Sequence, residues 1–202
     1  MRINVKTITG FESKAAFNDM SGAASISQMA PQVPILKVAW IDTPLGTMIA
    51  IADDKALYLL EFTNGKGLDR EIAQLSSKVS ATIIAGSNAP LLTIGQELKS
   101  YFSGELKKFK TPLHLFGSSF RQLVWQELLR IPYGKTKSYA QQAQALGKPT
   151  AFRAVANANG ANQLAIIIPC HRIINHNGKL GGYGGGFYRK KWLLAHEQNP
   201  IQ

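Results

Sequence analysis

The chain is poor in cysteine, in acidic residues along its second half, and in long apolar runs. One cysteine, Cys170, stands among 202 residues, so no internal disulfide can form. With only four histidines scattered along the chain, the sulfur-rich cage of a structural zinc site is excluded too, and no metal is expected. The apolar run Leu164–Ile168 falls far short of the roughly 18 residues that a membrane-spanning helix needs. The opening MRINVKTITGFESK has no apolar core to make it a secretory signal, so residence in the cytoplasm is expected, with no membrane partner. What remains, 45% apolar and 17% charged residues, is the composition of a chain that folds as one ordinary domain or two small ones.

Acids are missing from one stretch in particular. Residues 1–111 carry 12 Lys/Arg against 10 Asp/Glu, whereas residues 112–202 carry 11 against only Glu127 and Glu197, so +9 of the total +11 belongs to the second half. An excess of this kind suits an anionic partner, nucleic acid above all, because each neutralised phosphate releases counterions. A merely solubilising surface is the alternative.

Punctuation divides the chain into three. Residues 1–35 are rich in Ser, Ala, Gly, Asn and Gln, have no sustained period, and read as a flexible arm or linker. From Lys37 the runs KVAWID, TMIAIA and ALYLLEF, separated by TPLG and DDK turns, predict a three-stranded meander. LDREIAQLSSKV follows as a helix, ATIIA as a fourth strand, and PLLTIGQELKSYFSG as an amphipathic helix, making a small α/β lobe over 36–111 with a scaffold role. Past Thr111 the pattern is mostly helical. Ser118 caps FRQLVWQELLRI, whose Phe120, Val124, Trp125, Leu128 and Leu129 form one apolar stripe. SYAQQAQALG and TAFRAVANANG then make two short helices across a tight connection, the punctuation of a helix-turn-helix, within a domain spanning 112–202.

Cys170 follows the apolar LAIII and Pro169, where a buried extended segment ends at a turn. A lone cysteine after such a run is commonly inert, but a nucleophilic thiol needs a base and a positive environment, and His171 and Arg172 are candidates for both. Side chains adjacent on an extended strand point apart, so His171 would act through a water or across a bend. Glu197, the last acid of a basic half, either orients a histidine or pairs with Arg189 or Lys190 of its own helix RKKWLLAHEQ. The run Gly181-Gly182-Tyr183-Gly184-Gly185-Gly186 lacks the phosphate-loop pattern and reads as a pocket wall or lid.

These residues, taken in order, resemble the O6-alkylguanine-DNA alkyltransferases. The resemblance rests on Ile168-Pro169-Cys170-His171-Arg172-Ile173, supported by Phe120–Trp125, Ile131-Pro132-Tyr133-Gly134, Ser138-Tyr139, Arg153-Ala154-Val155, Asn162, Gly182-Tyr183 and Trp192–Glu197. The preceding lobe is similar to the family's ribonuclease-like domain through TPLG and the meander. The resemblance implies an α/β (α+β) protein, acting as a monomer without a cofactor on double-stranded DNA that contains O6-alkylguanine. It implies base flipping and irreversible transfer of the alkyl group to Cys170, with His171 as base through water, Glu197 orienting it, and Asn162 bracing the cysteine loop. Tyr139 presses on the flipped nucleotide's phosphate and helps protonate guanine, Arg153 fills the vacated stack, and Ser138, Ala151, Ala154 and Asn159 complete the DNA face. Tyr183, Gly184 and Gly185 line the substrate pocket. Two positions depart from the pattern: Phe152 is bulkier than expected beside Arg153, and Gly184 stands where many relatives carry a side chain. Gly10–Ser13 with Phe17-Asn18 resembles the end of an AraC-type module. Two other functions stand beside this one: a helix-turn-helix regulator in which Cys170 is structural or redox-active, and a Cys-His hydrolase, which lacks a nucleophile elbow.

Overall fold

The computed structural model describes residues 3–4, 33–65 and 67–198. The meander is there: β2 (Ile35–Ile41), β3 (Met48–Ala52) and β4 (Leu57–Phe62) pair antiparallel, with Val38 opposite Ile51 and Ile51 opposite Leu59. Its second turn is set by the Asp53 carboxylate, which accepts the amides of Lys55 and Ala56 at 2.8 and 2.7 Å. Every residue of β3 is buried because helices cover both faces of the sheet. On one face Leu36, Val38, Ile51 and Leu59 meet Leu75 of α1 (Leu68–Val79). On the other, Ala39, Ile41, Ala50 and Leu60 meet Leu91, Ile94 and Leu98 of α2 (Ala89–Phe102). The fourth strand, β5 (Thr82–Ala85), returns parallel to β2, with Leu36 opposite Ile83. Two residues of the N-terminal arm form β1 (Ile3–Asn4), antiparallel to β2 along that same side, and Ile35 already belongs to β2. Residues 5–32, and with them the AraC-like Gly10–Asn18, lie outside the described residues.

The outer side of β4 is where the second half attaches. Leu57 donates its amide to Pro112 O at 2.8 Å and accepts from His114 at 2.9 Å, and Leu60 exchanges two hydrogen bonds of 2.8 Å with Gln163 O and Ala165 N. A single apolar cluster then runs from Ile94 and Tyr101 of the lobe to Val124, Leu128, Ile168 and Leu193 beyond it. The connection is tied down by Glu97, whose carboxylate accepts both the amide and the hydroxyl of Thr111.

In the second half Ser118 caps α3 (Ser119–Leu129), as expected. Its stripe is buried at Val124, Trp125 and Leu128, but Leu129 is exposed because it falls on the solvent side of the last turn. The helix pair is α4 (Tyr139–Ala145), started by a reciprocal Ser138–Gln141 capping box, and α5 (Phe152–Gly160). Buried bonds lock the three together: Trp125 Nε1 donates to Ala158 O at 2.8 Å, and Gln142 donates to Val124 O at 3.1 Å. Two elements are too short to be visible in a periodicity, β6 (Lys137–Ser138) and β7 (Ile173–Ile174), which pair in parallel. The last helix, α6, spans Phe187–Gln198. No helix among the described residues is long and apolar enough to cross a membrane.

Candidate active site

LAIII does not extend as a strand up to the cysteine. After Leu164 and Ala165 the backbone turns at Ile166, whose φ of 71° is rare for a β-branched residue, and Ile167 N–H closes a three-residue turn on Ala165 O at 2.9 Å. Pro169, at φ −82° and ψ 60°, makes a second such turn, closed by Cys170 N–H on Ile168 O at 2.8 Å. Cys170–Arg172 is then one turn of 3-10 helix, so the bend required between Cys170 and His171 is built into the backbone. A strained φ costs on the order of 1–3 kcal/mol and persists only where its surroundings hold it. Asn162 does the holding. Its Nδ2 donates to Ile168 O at 2.9 Å and to Cys170 Sγ at 3.2 Å, and its Oδ1 accepts the amide of Leu164 at 3.0 Å.

Behind the cysteine lies a buried polar cluster centred on Glu197. Its carboxylate accepts from His171 Nε2 at 2.9 Å, from Arg172 Nε and Nη2 at 2.8 and 2.9 Å, from the Tyr101 hydroxyl at 2.8 Å and from Gly134 N at 3.2 Å. Burial by itself would raise the Glu197 pKa. The hydrogen bonds of His171 and Arg172, with the Arg172 charge, outweigh burial and hold this carboxyl well below the usual carboxylate range. His171 is pulled below its ordinary value by burial, only partly offset by its bond to Glu197. The ring is therefore neutral near pH 7. With Nε2 facing a carboxylate, the proton belongs there, leaving Nδ1 a buried acceptor with no partner among the described residues.

The thiol itself rests protonated. Burial pushes it up to about 11, with the Asn162 bond and the Lys190 charge pulling the other way and Glu61 adding to the rise. Cys170 keeps part of its surface in solvent. Lys190, offered from the sequence only as a same-helix partner for Glu197, does not pair with it: wholly buried on α6, it donates to Ile173 O and Gly182 O, and burial lowers it to about 8. Tyr101 was not foreseen. Nothing local in the sequence marks it, since it reaches Glu197 from the other lobe.

The glycine run and the helix pair adjoin this centre. Tyr183 packs edge-on to His171 with 6.3 Å between ring centroids, and its buried hydroxyl has no partner among the described residues. Gly185 is buried, and a Cβ there would stand 2.7 Å from the Tyr183 ring, so the position admits only glycine; Gly184 faces open space. Ser138 and Tyr139 are brought beside the cysteine turn because β6 pairs with β7, directly after Arg172. The Ser138 hydroxyl is engaged as the α4 cap. On α5, Arg153 and Ala154 are exposed, Ala151 is half-buried at the cap, and Phe152 is 44% exposed. Asn159 is a correction. It is buried and exchanges hydrogen bonds with Gln142 between α4 and α5, the nearer at 2.7 Å, so its side chain fixes the helix pair and does not face outward.

A ribonuclease-like lobe continuous with a helix-turn-helix domain, and a cysteine backed by a His–Glu–Arg cluster, define a class of two-lobed proteins built around one partly buried thiol. Residues 36–115 match the family model of the 6-O-methylguanine DNA methyltransferase ribonuclease-like domain, and residues 119–199 match that of the DNA binding domain. The methylated-DNA–protein-cysteine methyltransferase of Methanosarcina barkeri is 38% identical over 162 residues, covering 80% of this chain and 97% of its own length. The Mycobacterium tuberculosis protein of the same name is 53% identical over 103 residues, 51% of this chain, and the match spans 62% of that relative's length. Among solved structures, Mycobacterium tuberculosis OGT in complex with DNA superposes with a TM-score of 0.68 at 39% identity, covering 81% of this chain and 92% of that one. The O6-methylguanine-DNA methyltransferase of Pyrococcus kodakaraensis gives a TM-score of 0.59 at 26% identity, covering 80% and 98%. This chain belongs to the 6-O-methylguanine DNA methyltransferase family.

Proposed function

We propose that the protein repairs double-stranded DNA by removing the alkyl group from O6 of guanine and transferring it to its own Cys170, once per molecule. The observation that carries this reading is the buried Nδ1 of His171, an unpartnered acceptor one residue from the sole thiol and backed by the Glu197 carboxylate. A water bridging the two takes the thiol proton to His171 as the sulfur attacks the alkyl carbon. The carbon–O6 bond breaks, a thioether forms, and guanine leaves with a proton, assisted by the Tyr139 hydroxyl. That hydroxyl remains a donor because burial, and then the Cys170 charge, raise its pKa. Glu197 and Arg172 orient the ring and hold the charge that develops on it, and Asn162 aims the sulfur.

Chemistry on a stacked base requires its extrusion, at a cost of a few kcal/mol. Arg153, exposed at the start of α5, enters the vacated stack and offsets part of that cost. Ser138, Ala151 and Ala154 lie along the duplex, and Tyr183, Gly184 and Gly185 receive the flipped base. Residues 36–111 form the supporting lobe and 112–202 the reacting one, the protein acts as a monomer in the cytoplasm on the nucleoid or, in a eukaryote, in the nucleus, and no cofactor takes part.

Mass spectrometry after mixing with O6-methylguanine duplex tests this. One methyl gain on the Cys170 peptide, with the product never exceeding one equivalent, is expected. Catalytic release of the methyl group, or removal that persists in Cys170→Ala, refutes it.

A further inference from the structure

Arg189 of α6 lies outside the cluster behind the cysteine, and its guanidinium holds three separate pieces of chain. Nε donates to Leu45 O at 2.9 Å in the β2–β3 turn, Nη2 to Asn64 Oδ1 at 2.9 Å beyond β4, and Nη1 to Gly185 O at 2.9 Å in the pocket wall. The same group lies over the Phe62 ring, 4.0 Å from its centroid. The fit is close on all sides. A Cβ at Gly46, where φ is +112°, would stand 3.1 Å from Arg189 Nη2, and a Cβ at Gly185 would meet Phe62 at 3.2 Å. Both partner turns belong to the N-terminal lobe, whose sequence suggests only a scaffold.

We infer that Arg189 makes the N-terminal lobe a determinant of substrate size, by fixing the glycine wall around Gly185 at one distance from Cys170. This rests on the alkyl-transfer reading above. The wall needs such a fastening because Gly181–Gly186 is rich in residues without side chains, which have the most backbone freedom to lose. An unfastened wall spends part of its time narrowing the pocket, and apparent affinity falls by the fraction of time the pocket is open wide enough. That fraction is smaller for a large substituent than for a methyl group. A fixed wall therefore favours bulky adducts most, and the planar fork of arginine supplies three directed donors where a lysine supplies a point charge.

The test uses the full chain and two free bases, O6-methylguanine and O6-benzylguanine, so that DNA binding plays no part. Single-turnover rates are read as the mass gain on the Cys170 peptide for wild type, Arg189→Met and Asn64→Ala. In Arg189→Met the benzyl-to-methyl rate ratio should fall about tenfold, the loss expected if the open state drops to about a tenth of its population. Asn64→Ala, an exposed turn position that removes one of the three bonds, should move the ratio the same way by a smaller factor, and it serves if Arg189→Met does not fold. Arg189→Lys should recover little of the ratio. A ratio within twofold of wild type, with both rates or the melting temperature lowered together, overturns the inference and leaves Arg189 a structural tie, as does a ratio shifted toward benzyl. If wild type gains no alkyl group on Cys170 at all, the proposed function itself fails.

Discussion

The thiol of Cys170 is kept protonated by its own burial, so the nucleophile is made only when a proton can leave for His171. Replacing Cys170 by Ser should abolish transfer while DNA binding survives, because an unactivated hydroxyl stays protonated at neutral pH; a gel-shift titration and the mass assay separate the two. Acid should act on the cluster in a defined order. His171 is depressed from 6.5, so as pH falls through that value the unfolded chain takes up a proton that the folded chain refuses, and stability declines. Glu197 is depressed from 4.5, so its contribution is complete above that pH and is lost as pH falls below it. Urea unfolding at pH 7, 5.5 and 4 should show both stages. Glu197→Gln should cost about 3–5 kcal/mol at pH 7, since Arg172 is left buried without its partner, and should flatten the dependence below pH 4.5. Of this site, Cys170, His171, Glu197 and Asn162 were legible because their order along the chain resembles a family pattern. Lys190 and Tyr101 were not, because a buried lysine on a helix reads as solvated and a tyrosine in an apolar stripe reads as core.

The helix pair α4–α5 joins two functions that substitution should pull apart. Gln142→Ala removes the partner of buried Asn159 and a bond to Val124 O, and should cost about 1–3 kcal/mol of stability because a polar group is left unsatisfied. Arg153→Ala touches nothing buried. It should leave the melting temperature unchanged yet slow repair of duplex DNA about tenfold or more relative to the free base, which needs no extrusion; equal losses on both substrates would remove Arg153 from the stack. These helices were legible because closing glycines are local signals, as Gly147 just past α4 shows at φ 68°; the Ser138–Gln141 box that starts α4 came only with the structure. LAIII was misread because a run of five apolar residues is compatible with strand, helix or buried turn, and the left-handed Ile166 carries no compositional mark. Asn159 was assigned outward for a related reason. Its burial depends on Gln142, 17 residues earlier, a pairing that no periodicity within α5 reveals.

One apolar cluster spans both lobes, so they should melt together. Calorimetry should give a single transition with equal calorimetric and van't Hoff enthalpies; two resolved peaks would show the lobes to be independent. The charge concentrated in residues 112–202 should make binding to unrelated duplexes salt-sensitive, with a log-log slope of about −4 to −5 for roughly four to six phosphates contacted. That asymmetry, like the meander, was plain in the sequence. The seam between the lobes was not, since no local pattern announces that β4 will pair with residues 112–114 and 163–165. The seam also bears on how the chain stays out of aggregates. A strand at the rim of a sheet offers a row of bare amides and carbonyls to any passing strand, and β4 (LYLLEF), almost wholly apolar, would be a dangerous one to leave open. Here the second half of the chain occupies that rim itself, so a nascent or truncated N-terminal lobe is adhesive until its own continuation arrives to cover it.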